Sequence, residues 1–229
     1  MKQSRSARRP APMLTSSAPN RFAKTNRLVA GVDEAGRGPL AGPVVAAAVV
    51  LPKRFAALDA LKDSKALTAE DRDRLARTIR ARALVGVAIA EPAEIDRLNI
   101  LHASMAAMSR AVAALNCDLE RAYIDGNRTP DLACRATALV GGDGYEPTIM
   151  AASIIAKTVR DRIMTTACAR FPGYELRHNK GYSAPAHVEG LRRLGPSPIH
   201  RRSFAPVRAA LQGDFLDALD SVADASAAG

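Results

Sequence analysis

Two adjacent acids, Asp33 and Glu34, end an apolar run and are followed at once by Gly36-Arg37-Gly38. Carboxylates at a strand end supply the hard oxygen ligands that Mg²⁺ and Mn²⁺ prefer. Glycines leave the backbone bare, so that a ligand can approach it closely. In a chain with a formal net charge of +10, acids beside such a turn predict a metal site next to a nucleic-acid backbone.

Two further acids stand in similar positions along the chain. Asp125 ends a predicted strand and Asp143 follows another, and each precedes a glycine. Open α/β sheets build ligand sites just beyond strand ends. Asp-Gly is also an ordinary turn dipeptide, so neither acid would be assigned alone. The joint pattern with Asp33 and Glu34 favours one shared site.

The adjacency of Asp33 and Glu34 imposes a geometric condition. Neighbouring residues on a strand point to opposite faces of the sheet. Both carboxylates can therefore reach one site only if the chain bends at these residues, which the glycines that follow would permit. We expect such a bend.

Hydrophobic patterning predicts the elements that position these acids. Three strands come early, and two later strands are separated from them by a helix. We expect strands over 28–32, 44–51, 84–90, 121–125 and 136–140, and helices over 68–82, 96–115 and 147–171, with further helices through 219. Thr68 is the expected N-cap of the first helix. The second carries an apolar stripe typical of core packing: Leu98, Leu101, Met105, Met108, Val112 and Leu115.

The 229 residues are 48% hydrophobic, which is enough for one domain with a substantial core. No apolar run approaches the roughly 18 to 20 residues that span a bilayer, and the N-terminus lacks a secretory pattern. We therefore expect a soluble, cytoplasmic protein. The three cysteines, Cys117, Cys134 and Cys168, are widely spaced and predict reduced, buried thiols.

The positive charge is distributed unevenly. Residues 1–27 hold seven basic residues and no acid, residues 177–208 carry net +6, and residues 209–229 carry net −4. We expect 1–27 to be a disordered basic leader and 209–229 a helical or disordered acidic tail. The leader also has the composition of an organellar transit peptide, an alternative that the sequence leaves open.

The segment from Gly36 to Ala41 formally satisfies the dinucleotide-binding pattern G-x-G-x-x-G/A. A helix should begin at that turn, but Pro39 and Pro43 interrupt the segment and a β-rich run follows. The context therefore argues against a dinucleotide site.

The opening motif, from Asp33 to Ala48, resembles that of ribonuclease HII, the type 2 ribonuclease H family. Later segments resemble blocks of the same family in the same order. These are 63–67, 124–127, 151–157 with Arg160-Asp161, 178–182, and 195–201 through Phe204. Together they cover about residues 28–208.

This resemblance implies a ribonuclease H-like α/β fold, with a mixed five-stranded sheet flanked by helices and a helical C-terminal extension. The core would span about 28–175 and the helical part about 176–208. The implied activity is endonucleolytic hydrolysis of RNA paired with DNA, including incision 5′ of single ribonucleotides in duplex DNA, with 5′-phosphate and 3′-hydroxyl products. Such an enzyme would serve ribonucleotide excision repair. We expect a monomer whose partners are RNA/DNA hybrids and ribonucleotide-containing duplex.

The resemblance also implies roles for particular residues. Asp33, Glu34, Asp125 and Asp143 would hold two Mg²⁺ or Mn²⁺ ions, with Asp33 bridging both. The backbone of Gly36, Arg37 and Gly38 would meet the ribose 2′-hydroxyl. Tyr182 would pack on the adjoining deoxyribose and help to detect an RNA-to-DNA junction. A lone tyrosine would otherwise be taken as half-buried packing.

Other polar residues carry weaker signals. The four histidines, His102, His178, His187 and His200, have no metal-ligand spacing and are expected to be structural. Seven basic residues could contact phosphates, and none is assigned individually: Lys157, Arg160, Lys180, Arg192, Arg193, Arg201 and Arg202.

The chain departs from the family pattern at two positions. Gly141 stands where Lys is usual before Gly-Asp143, and Met150 stands where Ala is more usual. The first change affects the expected turnover and metal preference, since a Lys beside Asp143 would modulate its pKa or contact a phosphate. Two rival functions are a non-catalytic binder of RNA/DNA duplexes and a nuclease of the ribonuclease HIII type. The four acids, the Gly-Arg-Gly turn and the short leader argue against them.

Overall fold

The structure is a computed structural model that describes residues 14–15, 28–62 and 68–212, and its centre is a mixed β-sheet. The strands are β1 (Leu14–Thr15), β2 (Val29–Ala35), β3 (Val44–Val50), β4 (Leu84–Ala90), β5 (Arg121–Asp125) and β6 (Arg135–Leu139). Their order across the sheet is β1-β4-β3-β2-β5-β6. The five predicted strands are confirmed as β2 to β6, and β1 adds a short strand at one edge.

The direction of the strands decides where the site can form. β3 runs antiparallel to both β2 and β4, whereas β5 runs parallel to β2 and β6 runs parallel to β5. The carboxyl ends of β2, β5 and β6 therefore meet at one edge of the sheet. This is the edge at which open α/β sheets bind ligands.

Eight α-helices lie in the described part of the chain. They are α1 (Leu58–Lys62), α2 (Ala69–Arg82), α3 (Pro92–Leu98), α4 (Ile100–Ala113), α5 (Pro147–Arg170), α6 (Leu176–Asn179), α7 (Pro185–Leu194) and α8 (Ala205–Gln212). The predicted N-cap of α2 is confirmed, since the side chain of Thr68 accepts a hydrogen bond from the amide of Asp71.

The central strand β3 is buried along its whole length and feeds two apolar layers. Its even-numbered residues, Val44 to Val50, pack with the buried face of α4. The odd-numbered residues, Val45 to Val49, pack with α2 and α5. A strand covered on both faces reads as a continuous apolar run rather than an alternating one, as this sequence does.

The helix α5 crosses directly over β2. A side chain on Gly31 would place its Cβ 2.1 Å from the backbone carbon of Thr148, so that only glycine allows this approach. The close packing fixes α5 against the strand that carries Asp33 and Glu34. It thereby sets the position of Ser153 and Lys157, which face the end of that strand.

The prediction of one helix over 96–115 was wrong, because the helix is interrupted at Asn99. This residue has φ of 66°, and its side chain accepts hydrogen bonds from the amides of Leu101 and His102. Asparagine tolerates a positive φ and caps helices well. Asn99 is therefore both the end of α3 and the start of α4. The apolar periodicity continues through this residue and gives no sign of the break.

Parts of the expected organisation fall outside the described residues. These parts are the basic leader, except for the two residues of β1, the acidic tail beyond 212 and the block 63–67. Within the described ranges, no helix is long and apolar enough to cross a membrane.

Candidate active site

The edge formed by β2, β5 and β6 brings together the acids that the sequence singled out. Val32 lies opposite Ile124 in the parallel pairing, so the next residues, Asp33 and Asp125, lie side by side where β5 ends. Asp143 lies in a short 3₁₀ helix, Gly142–Gly144, beyond β6. Its amide donates to Oδ1 of Asp125 at 3.3 Å.

Asp33 is the most enclosed of the four acids, with 6% of its surface exposed. Burial raises its pKa well above the ordinary value, and the charges of Glu34 and Asp125 raise it further. Hydrogen bonds from Ser153 and from the amide of Glu34 oppose the rise. A buried carboxylate that is repelled by two others gains stability from a cation, and hard oxygen donors suit a divalent one.

Glu34 is held differently. Burial raises its pKa, the ion pair with Arg37 lowers it, and Asp125 adds to the rise. Nη1 of Arg37 lies 3.2 Å from Oε1 of Glu34. The positive side chain of the Gly-Arg-Gly turn therefore neutralises part of the charge of the acidic pair.

The expected bend at Asp33 and Glu34 is not found. β2 stays regular through both acids, which lie opposite Ala47 and Ala46, and the chain turns only after Ala35. The two side chains consequently start on opposite faces of the sheet. Across the described ranges, no three Asp, Glu, His or Cys side chains are grouped closely enough to hold a metal ion together.

A cleft of about 350 Å³ opens beside the acids. The ring of Tyr182 covers Gly38, where an added Cβ would lie 3.6 Å from Cε1 of the tyrosine. The structure thus brings all four predicted substrate-binding residues together, next to one of the acids. The cleft is lined by Glu34, Ala35, Gly36, Arg37, Gly38, Ser153, Lys157, Arg160 and Tyr182.

Arg201 holds the Gly-Arg-Gly turn from beneath, and it is fully buried. Its Nη2 donates to the carbonyl of Gly36 at 2.5 Å, Nη1 to that of Arg37 at 2.7 Å and Nε to that of Gly42 at 2.9 Å. Burial lowers its pKa to about 9, and the nearby guanidinium of Arg160 contributes. All three nitrogen atoms therefore donate to backbone carbonyls, two in the turn and one in Gly42.

Arg160 forms the floor of the same region. Its Nε donates to the carbonyl of Pro43 at 3.0 Å and Nη2 to that of Ala41 at 3.2 Å. It lies where a side chain on Gly36 would have to go, 1.9 Å from the added Cβ. Its guanidinium also lies 5.9 Å from the centre of the Tyr182 ring, within cation–π range.

Sequence reasoning missed this role for Arg160 and Arg201, which it grouped with residues that contact phosphates. Both are buried, and their guanidinium groups donate hydrogen bonds to backbone carbonyls. Their charge type suggests solvent exposure, and the only signal of another role was their place in family-like blocks. Lys157 remains a candidate phosphate contact, since it lines the cleft, although it also pairs with Asp161 at 2.9 Å.

The histidines divide into two kinds. His187 and His200 are buried and hydrogen-bonded to each other, which confirms the structural role predicted for them. His102 and His178 are exposed on the surface.

The three cysteines are free thiols and half-buried. Burial raises the pKa of Cys117 and of Cys134, so that both stay protonated. These two line a hollow of about 470 Å³ near the amino ends of β5 and β6, the opposite edge of the sheet from the acids.

Comparison with known proteins decides the family. A sequence model described as "Ribonuclease HII" matches residues 30–207, most of the chain. The chain belongs to the ribonuclease HII family. A curated ribonuclease HII of Maricaulis maris is 60% identical over 189 residues, which cover 82% of this chain and 86% of that protein.

Solved structures agree with the ribonuclease HII assignment. Ribonuclease H2 of Pyrococcus horikoshii superimposes with a TM-score of 0.71 at 28% identity, over 82% of this chain and 98% of that one. Bst-RNase HIII in complex with Mn²⁺ gives a TM-score of 0.67 at 20% identity, over 86% and 74% of the two chains, which shows the shared fold.

Membership in the ribonuclease HII family makes this protein a metal-dependent nuclease, a hydrolase with ribonuclease H activity on RNA/DNA hybrids. The predicted enzyme class and ribonuclease H-like fold are confirmed. The rival of ribonuclease HIII type is set aside because the ribonuclease HII model matches the chain, and the non-catalytic binder is set aside by the enzyme assignment.

Proposed function

We propose that the protein hydrolyses the RNA strand of hybrids and also incises duplex DNA on the 5′ side of a single embedded ribonucleotide. The products would carry 5′-phosphate and 3′-hydroxyl ends. The observation that carries this proposal is the cleft formed by Gly36, Arg37, Gly38 and Tyr182, which Glu34 also lines, at the strand end where Asp33 lies beside Asp125. Such a site would combine hydrolytic chemistry with groups suited to recognition of one sugar.

The proposed metal ligands are Asp33, Glu34, Asp125 and Asp143, which would hold two Mg²⁺ or Mn²⁺ ions. When bound, such ions lower the pKa of the attacking water and neutralise charge on the leaving 3′-oxygen. Burial and the charge of Asp125 raise the pKa values of both Asp33 and Glu34, a cost that a bound cation would offset. To share a cation, the carboxylates would have to move closer together than they lie in this structure. Glu34 would exchange Arg37 for metal, which frees that side chain for a phosphate.

Recognition of the ribose would fall to two backbone amides. The carbonyl and amide of one peptide point in opposite directions. Because the carbonyls of Gly36 and Arg37 point to the buried Arg201, the amides of Arg37 and Gly38 point away from it. Two donors directed toward the cleft suit a 2′-hydroxyl, the group that distinguishes RNA from DNA.

Tyr182 would recognise the sugar that follows. Nearly half of it, 48%, is exposed, while its ring lies next to Gly38 and 5.9 Å from the guanidinium of Arg160. The exposed part of the ring would pack against a flat apolar partner such as a deoxyribose. This arrangement supports a preference for a junction between RNA and DNA.

That the protein is a monomer stays a prediction. Cytoplasmic location stays a prediction from the sequence.

The test is a cleavage assay with purified protein and Mn²⁺, Mg²⁺ or a chelator. The substrates are labelled duplex DNA with one ribonucleotide, a long RNA/DNA hybrid and an all-DNA duplex. We expect metal-dependent incision of the first two, 5′ to the ribonucleotide in the first, and none with Asp33→Asn. Cleavage of the hybrid without incision of the single-ribonucleotide duplex under either metal would contradict the proposal.

A further inference from the structure

The segment 199–201, which follows α7, pairs with the segment 40–42, which follows the Gly-Arg-Gly turn. The amide of Gly42 donates to Ile199 at 2.8 Å, and that of Arg201 donates to Leu40 at 2.9 Å. The amide of Leu40 donates in turn to the carbonyl of Gly181, the neighbour of Tyr182. Segment 199–201 is therefore connected to both sides of the cleft.

His200 is linked to Tyr182 through a second histidine. The amide of Ser197 donates to Nδ1 of His200 at 3.0 Å, so this nitrogen is an acceptor and Nε2 carries the proton. That Nε2 donates to Nε2 of His187 at 3.0 Å, which leaves Nδ1 of His187 protonated. It donates to the carbonyl of Tyr182 at 2.8 Å.

The direction of this chain of hydrogen bonds is fixed at both ends. A backbone amide can only donate and a backbone carbonyl can only accept, so both histidines must be neutral and of defined tautomer. The ring of Tyr174 packs against both, with centroids 6.1 Å from His187 and 4.9 Å from His200. Tyr182 is thus held by a hydrogen-bonded network with one arrangement of protons.

Arg201, the next residue, holds the other half of the cleft. It donates to the carbonyls of Gly36 and Arg37, whose peptides present the two amides proposed to meet the 2′-hydroxyl. The two consecutive residues therefore support different recognition elements. His200 acts on the tyrosine side and Arg201 acts on the turn.

We propose that His200 and Arg201 are positioning residues that set substrate selectivity, His200 for the junction tyrosine and Arg201 for the ribose-reading turn. The inference rests on the proposed roles of Tyr182 and Gly36–Gly38. The inference predicts two distinct effects. Loss of the His200 link impairs cleavage where a deoxyribose follows the ribonucleotide. Loss of the Arg201 contacts impairs cleavage of every ribonucleotide substrate.

The histidine link is tested with two polar variants. In His200→Gln the longer amide reaches His187 and can still donate to it. In His200→Asn the shorter amide can accept from Ser197 but cannot reach His187. We expect His200→Asn to lower kcat/KM about tenfold on duplex DNA with one ribonucleotide and at most about twofold on a long hybrid. His200→Gln should recover most of the loss, and exposed His102→Gln should change neither.

A double-mutant cycle identifies the route of the effect. Once Tyr182→Ala has removed the ring, His200→Asn should cause little further loss on the single-ribonucleotide substrate. Arg201→Lys, which can keep at most part of the three carbonyl contacts, should lower kcat/KM at least about tenfold on both substrates. Exposed Arg77→Lys is its control.

The inference is overturned if His200→Asn and His200→Gln behave alike, if both substrates suffer equally, or if the effects of His200→Asn and Tyr182→Ala simply add. Thermal melts of each variant verify folding. If the unaltered protein cleaves the hybrid but not the single-ribonucleotide duplex, the proposed function fails first. That result is separate from every outcome above.

Discussion

The amide of Asp143 donates a hydrogen bond to Oδ1 of Asp125 at 3.3 Å across 18 positions of sequence. The bond fastens the 3₁₀ helix beyond β6 to the end of β5. A side chain on the intervening Gly142 would lie 2.6 Å from Ile149 and 3.5 Å from the Asp125 carboxylate. The two acids are therefore placed by a turn that is packed tightly against α5, not by a free loop.

The first prediction concerns the buried acid. Asp33→Asn should lower kcat/KM by roughly 1,000-fold or more, because it removes a ligand charge from the centre of the site. The same change should raise the melting temperature of the metal-free protein by several degrees. Burial and the charges of Glu34 and Asp125 disfavour the ionised form of Asp33, and the amide removes that cost.

The measurement is a thermal melt with chelator and again with Mn²⁺. Added metal should stabilise the unaltered protein more than the variant. Exposed Asp131→Asn is the matched control and should shift neither melt. A variant less stable than the parent without metal would contradict the picture of repelling carboxylates.

The second prediction separates two glycines of one turn. Gly36 has φ of 93° and its added Cβ would lie 1.9 Å from Nε of Arg160, so Gly36→Ala should cost about 2–4 kcal/mol of stability. Gly38 has an ordinary contact of 3.6 Å to Tyr182, so Gly38→Ala should cost less than about 0.5 kcal/mol.

Both alanine variants should nevertheless lose activity, since each alters the surface proposed to meet the ribose. Urea unfolding gives the stability and initial rates give the activity. Equal destabilisation of Gly38→Ala and Gly36→Ala would contradict this explanation, in which Arg160 excludes a side chain at Gly36 alone.

Much of the fold follows from local pattern. The run 44–50 is continuously apolar, as expected of a strand with both faces covered, and it is buried throughout. Asp125 ends β5, as the short apolar run before Asp125-Gly126 predicted, and Asp143 lies beyond β6 in the 3₁₀ helix. The strands and the location of the acids along one edge of the sheet were therefore predictable, whereas the bend expected at Asp33 and Glu34 was wrong.

The supports of the site were not predictable, because they depend on packing over long distances in sequence. Arg160 reaches Ala41 across 119 positions, and Arg201 reaches Gly36 across 165. No local periodicity distinguishes a buried arginine from an exposed one. The helix break at Asn99 was missed for a different reason, since a single capping residue interrupts a continuous apolar stripe.

A third prediction addresses Gly141, the position before Gly142-Asp143 at which the family resemblance implies a Lys. Its φ is 66° and ψ is 26°, and its added Cβ would meet no atom within 4 Å. Gly141→Lys should therefore cost only about 1 kcal/mol, from the backbone alone. The new charge beside Asp143 should raise kcat/KM a few-fold at low salt, an advantage that high salt removes.

Gly141→Asn is the control, because asparagine tolerates this backbone conformation and brings no charge. It should show no salt-dependent gain. Equal rates for the Lys and Asn variants at low salt would mean that the charge at this position does not reach the substrate.

The fourth prediction is a pH dependence of stability. Burial lowers the pKa of His200 from 6.5 to about 4, and the neighbouring His187 contributes. The unfolded chain therefore binds a proton between these values that the native state does not. Stability from this histidine is complete above pH 6.5 and falls as the pH drops toward 4, by roughly 3 kcal/mol if the full shift applies.

The acids of the site act in the opposite direction, since their raised pKa values make the native state bind protons first. The comparison must therefore be between variants at each pH. The difference in unfolding free energy between the parent and His200→Gln should shrink as the pH falls from 7 to 5. If this difference in unfolding free energy stayed constant with pH, the neutral state of His200 would not contribute to the stability of the protein.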